Sequence, residues 1–212
     1  MSTLPSPSVP CRRRRRRSLL WAIALLPAGA CRDIDTLVPI QTSTSFCAPE
    51  RDAIVACTLD GDTVDLDSCG EGERVRFLGV SAPEIAHEPE PAECWGDEAT
   101  AWVDPRLTGR VITLEFDAEC TDIYGRTLAW LWVEGDAGDS LADDLREFDD
   151  LASYFNDDGS FRVLFNDLVI RAGQARLYDE GFAQDVRYYE RLQASEDLAA
   201  VEGRGLWGVC EG

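Results

Sequence analysis

Lysine is absent from this chain of 212 residues, so all 20 basic residues are arginine, and histidine and methionine each occur once. No CxxC spacing exists, and the single histidine, His87, reads as a solvated loop residue, so a zinc cluster would find few ligands. No internal repeat is visible, which excludes solenoids and propellers. Positive charge is scarce throughout: 40 acidic residues leave a formal net charge of −20. Such a surface repels a polyanion. Any chemistry on nucleic acid must therefore rest on a local positive site and on metal ions, and the bulk of the acidic excess reads as solubility.

What is present begins with an export pattern. Arg12–Arg17 form a positive segment, Ser18–Leu26 an apolar one, and Pro27-Ala28-Gly29-Ala30 leads to Cys31. The apolar stretch is too short for a permanent bilayer span, and the small-residue exit is the signal-peptide pattern. Ala28-Gly29-Ala30-Cys31 resembles a bacterial lipobox, with Ala28 where Leu is usual, and Arg16-Arg17-Ser18-Leu19-Leu20 resembles a twin-arginine signal. The expectation is a lipoprotein of the bacterial cell envelope, lipidated at Cys31. A plain signal peptide cut near Ala30, giving a periplasmic or secreted protein, is the alternative. Residues 1–30 are then the signal, 31–50 a polar tether and 51–212 one domain. Removing the six signal arginines leaves 14 basic against 40 acidic residues, a net of −26.

Cysteine counting agrees with export. Of eight cysteines, Cys11 leaves with the signal and lipidation consumes Cys31, leaving Cys47, Cys57, Cys69, Cys94, Cys120 and Cys210. An even six in an oxidising compartment predicts three disulfides. The expected pairing is Cys57–Cys69 across the first hairpin, Cys94–Cys120, and Cys47–Cys210 joining the ends, one of fifteen connectivities that six cysteines allow.

The pattern of the domain is strands followed by helices. Strands are predicted at Ile54–Ala56, Thr63–Leu66, Val75–Val80, Arg110–Phe116 and Thr127–Val133, with an Asp60-Gly61 hairpin turn between the first two. Helical spacing covers Glu93–Leu107, Phe165–Ala172 and Asp185–Val201, the last two stopped by Gly173 and Gly203. Residues 137–160 are strongly acidic and predict a surface insertion, with a candidate helix at Leu141–Phe155. Five strands with a late inserted helix and helices at the end give an α+β fold, an OB-type five-stranded barrel with about three packed helices.

Four motifs carry chemistry: Asp60-Gly61-Asp62-Thr63, Arg76-Phe77-Leu78-Gly79-Val80-Ser81-Ala82-Pro83-Glu84, Asp122-Ile123-Tyr124-Gly125-Arg126 and Gly203-Arg204-Gly205-Leu206-Trp207. Alone, Asp-Gly-Asp-Thr is a hairpin turn. Together, in this order and spacing, they resemble the staphylococcal nuclease (thermonuclease) family over about Ala53 to Trp207. Gly96-Asp97-Glu98-Ala99 and Phe165-Asn166-Asp167-Leu168-Val169 fit that family's helix starts.

The resemblance implies a metal-dependent nuclease that hydrolyses phosphodiester bonds of DNA or RNA with little sequence preference, acting as a monomer. A phosphodiester repels hydroxide, so its hydrolysis needs a metal, a base for water, and cations against the developing charge. By resemblance, Asp62 is a metal ligand with Asp60 behind it, Ala82 offers its backbone carbonyl, Glu84 is the general base, and Arg76 and Arg126 clamp the phosphate, where planar guanidinium suits bidentate binding. Calcium is the implied metal, a hard cation that takes oxygen ligands. Tyr178 falls near a nucleotide-contacting position, with plain packing as its other reading.

One residue departs from the family pattern. Ser81 stands where a second ligand carboxylate is usual, and calcium affinity depends on charged-ligand count. The metal site is therefore expected to be weakened, which keeps a second function open: a nuclease-like binding module that holds nucleic acid without cutting it. A third is a surface protein whose acidic insertion binds a partner or calcium. For the N-terminus, the expected outcome is palmitate labelling of the native chain and none of Cys31→Ala; an unlabelled, soluble native protein overturns the anchor.

Overall fold

The computed structural model describes residues 47–148, 151, 154–180 and 184–210. The export segment, Cys31 and the tether up to residue 46 lie outside the described residues.

The polypeptide forms a closed five-stranded barrel with helices packed on it. β1 (Arg51–Asp60) turns at Asp60-Gly61 into β2 (Thr63–Leu66), and β3 (Glu73–Phe77) follows. β4 (Val80–Ser81) and α1 (Gly96–Leu107) precede β5 (Val111–Glu115) and β6 (Thr127–Gly135). The sheet order is β3-β2-β1-β5-β6, and β3 then pairs in parallel with β6 to close the ring. Closure removes the open edges that an isolated sheet would leave. Beyond it come α2 (Ser140–Glu147), β7 (Phe161–Leu164) on the end of β6, α3 (Phe165–Arg171), β8 (Arg176–Leu177), α4 (Tyr189–Glu202) and α5 (Leu206–Val209). This is the α+β OB-type barrel that the sequence predicts, with five α-helices among the described residues where about three were expected.

Alternation accounts for the strands. Ile112 and Leu114 of β5 are buried while Val111 is 59% exposed, one face inward and one outward. In β6, Leu128 to Leu131 are all buried, because helices cover the outer face. The predicted third strand breaks at Gly79, whose φ of 73° divides β3 from β4. Asn166, wholly buried, staples this break: its Nδ2 donates to Leu78 O (2.9 Å) and Ala129 O (3.2 Å), and its Oδ1 accepts from Leu131 N (2.8 Å). A buried amide with all these partners fixes one arrangement of the loop leading to Ser81 and Ala82.

Two expectations need correction. The described part of residues 137–160 sets an apolar face into the core and keeps its acidic side chains at the surface. Asp139 caps α2 by accepting from Leu141 N, and Leu141, Ala142, Leu145, Phe148 and Leu151 are buried. The acidic residues face outward partners: Asp144 pairs with Arg106, Asp139 with Arg110 and Glu147 with Arg204. The expected helix over Leu141–Phe155 ends at Glu147.

The second correction concerns the disulfides. Cys57–Cys69 forms across the first hairpin as expected, but the others are Cys47–Cys120 and Cys94–Cys210, not Cys94–Cys120 and Cys47–Cys210. Cys47 N donates to Asp117 O, so the chain enters beside the loop holding Cys120. Trp95 Nε1 donates to Gln174 Oε1 and Leu206 N to Gly173 O, which brings the start of α1 to α5 and hence Cys94 to Cys210.

Glu202 ends α4 by accepting from Arg171 (both Nη groups, 2.8 Å) and Arg204 (2.6 Å), and those two guanidinium groups hold its carboxyl at about 2, below the 4.5 of the free side chain. A depressed carboxyl stabilises the fold above its unfolded value and loses that contribution as pH falls through the folded one. Glu202→Gln is expected to cost about 1 kcal/mol at neutral pH, discounted for the partial exposure of the carboxylate. The gap to the native protein should close between pH 4.5 and 2, as read by thermal unfolding. A gap independent of pH contradicts the assignment.

Candidate active site

The site grows from the β1–β2 hairpin. Asp62 follows its turn and is wholly buried. The Asp60 carboxylate accepts from Asp62 N (2.9 Å) and so shapes the turn. The β2–β3 register sets Thr63 opposite Arg76, which brings the Arg76 guanidinium onto Asp62 Oδ1, while its Nη2 donates to Val80 O (3.2 Å). Thr63 Oγ1 also donates to Asp62 Oδ1 (3.0 Å), and Ala82 N to Asp62 Oδ2 (2.6 Å). The carboxylate thus ties hairpin, β3 and the loop after β4 together. Burial holds the Asp62 carboxyl above its ordinary range even against the opposite pull of Arg76, so one guanidinium and two neutral donors compensate its charge only in part.

Arg126 is delivered by a tight loop. Asp122 Oδ1 accepts from Tyr124 N and Arg126 N (2.9 Å each), and Oδ2 from Arg126 Nε (2.5 Å). Burial works to raise the Asp122 carboxyl, but these bonds win and hold it below its ordinary range. Gly125, at φ 82°, allows the turn. Glu84 is exposed, and its backbone is fixed by exchange with Glu93: Glu93 N donates to Glu84 O (2.9 Å) and Glu84 N to Glu93 Oε2 (3.2 Å). Gly96 permits this, because a Cβ there would lie 2.3 Å from Glu84 O.

The residues expected from sequence are largely brought together. Asp60, Thr63, Glu84 and Arg126 line one cavity of about 400 Å³ with Arg74 and His87. Arg76, Arg126, Tyr124 and Tyr178 line an adjoining one of about 390 Å³. Arg126 stands at both. Tyr178, 37% exposed, faces the second cavity instead of packing in the core. His87 is exposed, as expected, but on the cavity wall. Ser81 pairs with Arg176 across β4–β8, and Ala82 meets Asp62 through its N–H. Two residues escaped the sequence reading: Asn166, quoted only as a helix start, and Arg74, whose partner Asp65 interrupts the apolar run of β2.

The donors near Asp62 suit a hard divalent cation. Asp60 and Asp62 offer carboxylate oxygens one turn apart, the donor type that such a cation takes. The under-compensated charge of Asp62 is what a cation would relieve. The ligand set is sparse in charge, since among the described residues the only cluster of three Cys, His, Asp or Glu donors is Cys57, Asp65 and Cys69, whose sulfurs form a disulfide.

Fold and site define a disulfide-stapled OB barrel with arginines and carboxylates facing each other across a groove. The chain belongs to the staphylococcal nuclease family: the family model described as "Staphylococcal nuclease homologue" matches residues 74–209. It is similar to a thermonuclease of Staphylococcus hyicus, 25% identical over 169 residues that span 80% of this chain and 83% of that protein. A thermonuclease of Staphylococcus intermedius is 40% identical over 80 residues, 38% of this chain and 48% of that protein.

Gly61 holds the hairpin against the site, since a Cβ there would lie 2.6 Å from Ala82 Cβ and 3.0 Å from Ala99 Cβ. Gly61→Ala should push the Ala82 loop off Asp62 and destabilise by about 1–3 kcal/mol, measured by denaturant unfolding. Native stability in that variant contradicts the close approach.

Proposed function

We propose that the chain is an exported nuclease that hydrolyses phosphodiester bonds of DNA or RNA with little sequence preference, assisted by calcium. The observation that carries this reading is the convergence of Asp60, Glu84 and Arg126 on one cavity, beside the ion pair of buried Asp62 with Arg76, in a chain of the staphylococcal nuclease family. Export is supported by three disulfides, which persist in oxidising compartments, and by the pattern ending at Cys31. Membrane attachment through a lipid on Cys31 is part of the proposal. No described helix is long and apolar enough to cross a membrane.

In this reading Arg126 takes the nonbridging oxygens of the phosphate. Asp122 occupies its Nε, and the two Nη groups are not used by that pair. Arg76 approaches from the other cavity with the donors its bonds to Asp62 and Val80 leave over. The two guanidinium groups hold the phosphate and meet the charge that grows on it during attack. Glu84, exposed but fixed at its backbone, orients a water and accepts its proton. Asp62, with the Ser81 hydroxyl and the Ala82 carbonyl, would hold calcium, and Asp60 would stand behind them. Calcium bound there supplies positive charge against the phosphate and lowers the pKa of water. The need for it follows from charge: Asp60, Asp62, Glu84 and Asp122 face Arg76 and Arg126. These groups sum to −2, which opposes an anionic substrate unless a divalent cation enters.

Ser81 favours the second reading, a binding module that retains nucleic acid without cutting it. The test is cleavage of single-stranded DNA against calcium for the native chain, Ser81→Asp and Glu84→Gln. The nuclease reading expects cutting that rises with calcium. It expects Ser81→Asp to shift the calcium midpoint roughly ten- to thirtyfold lower, a gain of about 1.4–2 kcal/mol, and Glu84→Gln to lose activity while still folded. No cleavage at any calcium concentration, with DNA still bound, transfers the conclusion to the binding module.

A further inference from the structure

Arg74 has no part in the chemistry described above, yet it stands in the same groove. The parallel register pairs Val75 with Thr127, and continued by one residue it places Arg74 abreast of Arg126. Both line the cavity holding Glu84. Both also line a further open cavity of about 580 Å³, whose other wall is Gly70, Gly72, Tyr124 and Gly125.

The position of Arg74 is built. Its Nε donates to Asp65 Oδ1 (2.9 Å) and its Nη2 to Asp65 Oδ2 (3.3 Å). Asp65 is buried, and its Oδ2 also accepts from Gly70 N (2.8 Å). The bond from Arg74 is the main reason the Asp65 carboxyl lies below its ordinary range. Cys57–Cys69 ties the adjoining turn to β1. Gly72 is packed so closely that a Cβ would lie 1.8 Å from Leu66 O. A rigid turn therefore fixes a guanidinium that remains 47% exposed, with Nη1 unused by the Asp65 pair. The pairing repeats Arg126 on Asp122 and Arg76 on Asp62: one carboxylate orients each arginine and leaves donors for an anion.

We propose that Arg74 and the cavity over the Gly70–Gly72 turn form a second phosphate subsite, which takes the phosphate of a nucleotide next to the one held by Arg126 on a single nucleic-acid strand. The subsite rests on the nucleic-acid reading above and adds to it a preference for chains over minimal esters. The three glycines on its walls leave room for a sugar–phosphate backbone, and exposed Tyr124, 78% accessible, offers a face for a base.

The test measures binding of fluorescent oligothymidylates of two and eight nucleotides to the full chain in calcium, across a salt series, for the native protein, Arg74→Gln and Arg74→Lys. Cleavage of the same oligonucleotides and of a nitrophenyl ester of thymidine phosphate is followed in parallel. Arg74→Gln should weaken binding of the eight-nucleotide strand about three- to tenfold. It should also reduce the salt slope by about 0.7, one phosphate contact for a single strand. It should leave the nitrophenyl ester untouched. Arg74→Lys should keep the slope. An Arg74→Gln,Asp65→Asn double variant with the same loss shows that an uncompensated buried carboxylate is not the cause. Equal losses on the ester and the strand, or an unchanged slope, overturn the subsite, as does a native chain that binds neither oligonucleotide. A native chain that binds but does not cut, with the slope change intact, sinks the nuclease reading and keeps this one.

Discussion

A carboxylate with no exposed surface must find its partners inside the protein, and Asp62 draws them from three segments. Arg76 comes from β3, the Ala82 N–H from the loop after β4, and Thr63 from the next position of β2. Losing any one of these leaves a desolvated charge, which is why the hairpin, the strand and the loop cannot drift independently. Gly61 packed on Ala82 and Asn166 stapling the bend at Leu78 serve the same end from outside. The barrel supplies the register, and the register supplies the site. Thr63 opposite Arg76 and Val75 opposite Thr127 place Arg76 and Arg126 at adjoining cavities.

Charge explains how such a site survives in so acidic a chain. With 20 basic and 40 acidic residues, any loose arginine has many partners to choose from. Arg74, Arg76 and Arg126 are each committed to a particular aspartate that is itself buried or half-buried. Such a pair fixes position more than it adds stability, since desolvation offsets much of the Coulomb gain. Arginine suits this better than lysine, because its planar fork can bind a carboxylate along one edge and a phosphate along another. The same pairing holds the rest of the molecule: Arg106 with Asp144 and Arg110 with Asp139 draw the acidic α2 onto the barrel.

Much of this was legible in the sequence, for physical reasons. The barrel strands announce themselves by alternation, and the helix ends by glycine at 173 and 203. The site residues sit in short motifs whose spacing is set by hairpin geometry. What stayed hidden depended on distant contacts. Two of three disulfides were mispaired because nothing local places Cys47 by the Asp117 loop or α5 by Trp95. The acidic composition of residues 137–160 masked the apolar face of Leu141, Leu145 and Phe148. Arg74 passed unnoticed because its value comes from parallel pairing of β3 with β6, which no sequence period reports.

The most direct test of the account is Asp62→Asn, followed by calorimetry with calcium, cleavage of single-stranded DNA and thermal unfolding. Both Asp62 oxygens accept hydrogen bonds, so the amide sets its NH2 against one donor at a cost in stability, and thermal unfolding checks that the variant still folds. Calcium binding and cleavage should both vanish, because the buried carboxylate that organises Arg76 and would hold the metal is gone. An Asp62→Asn protein that binds calcium and cuts DNA at the native rate would contradict the central place given to this residue.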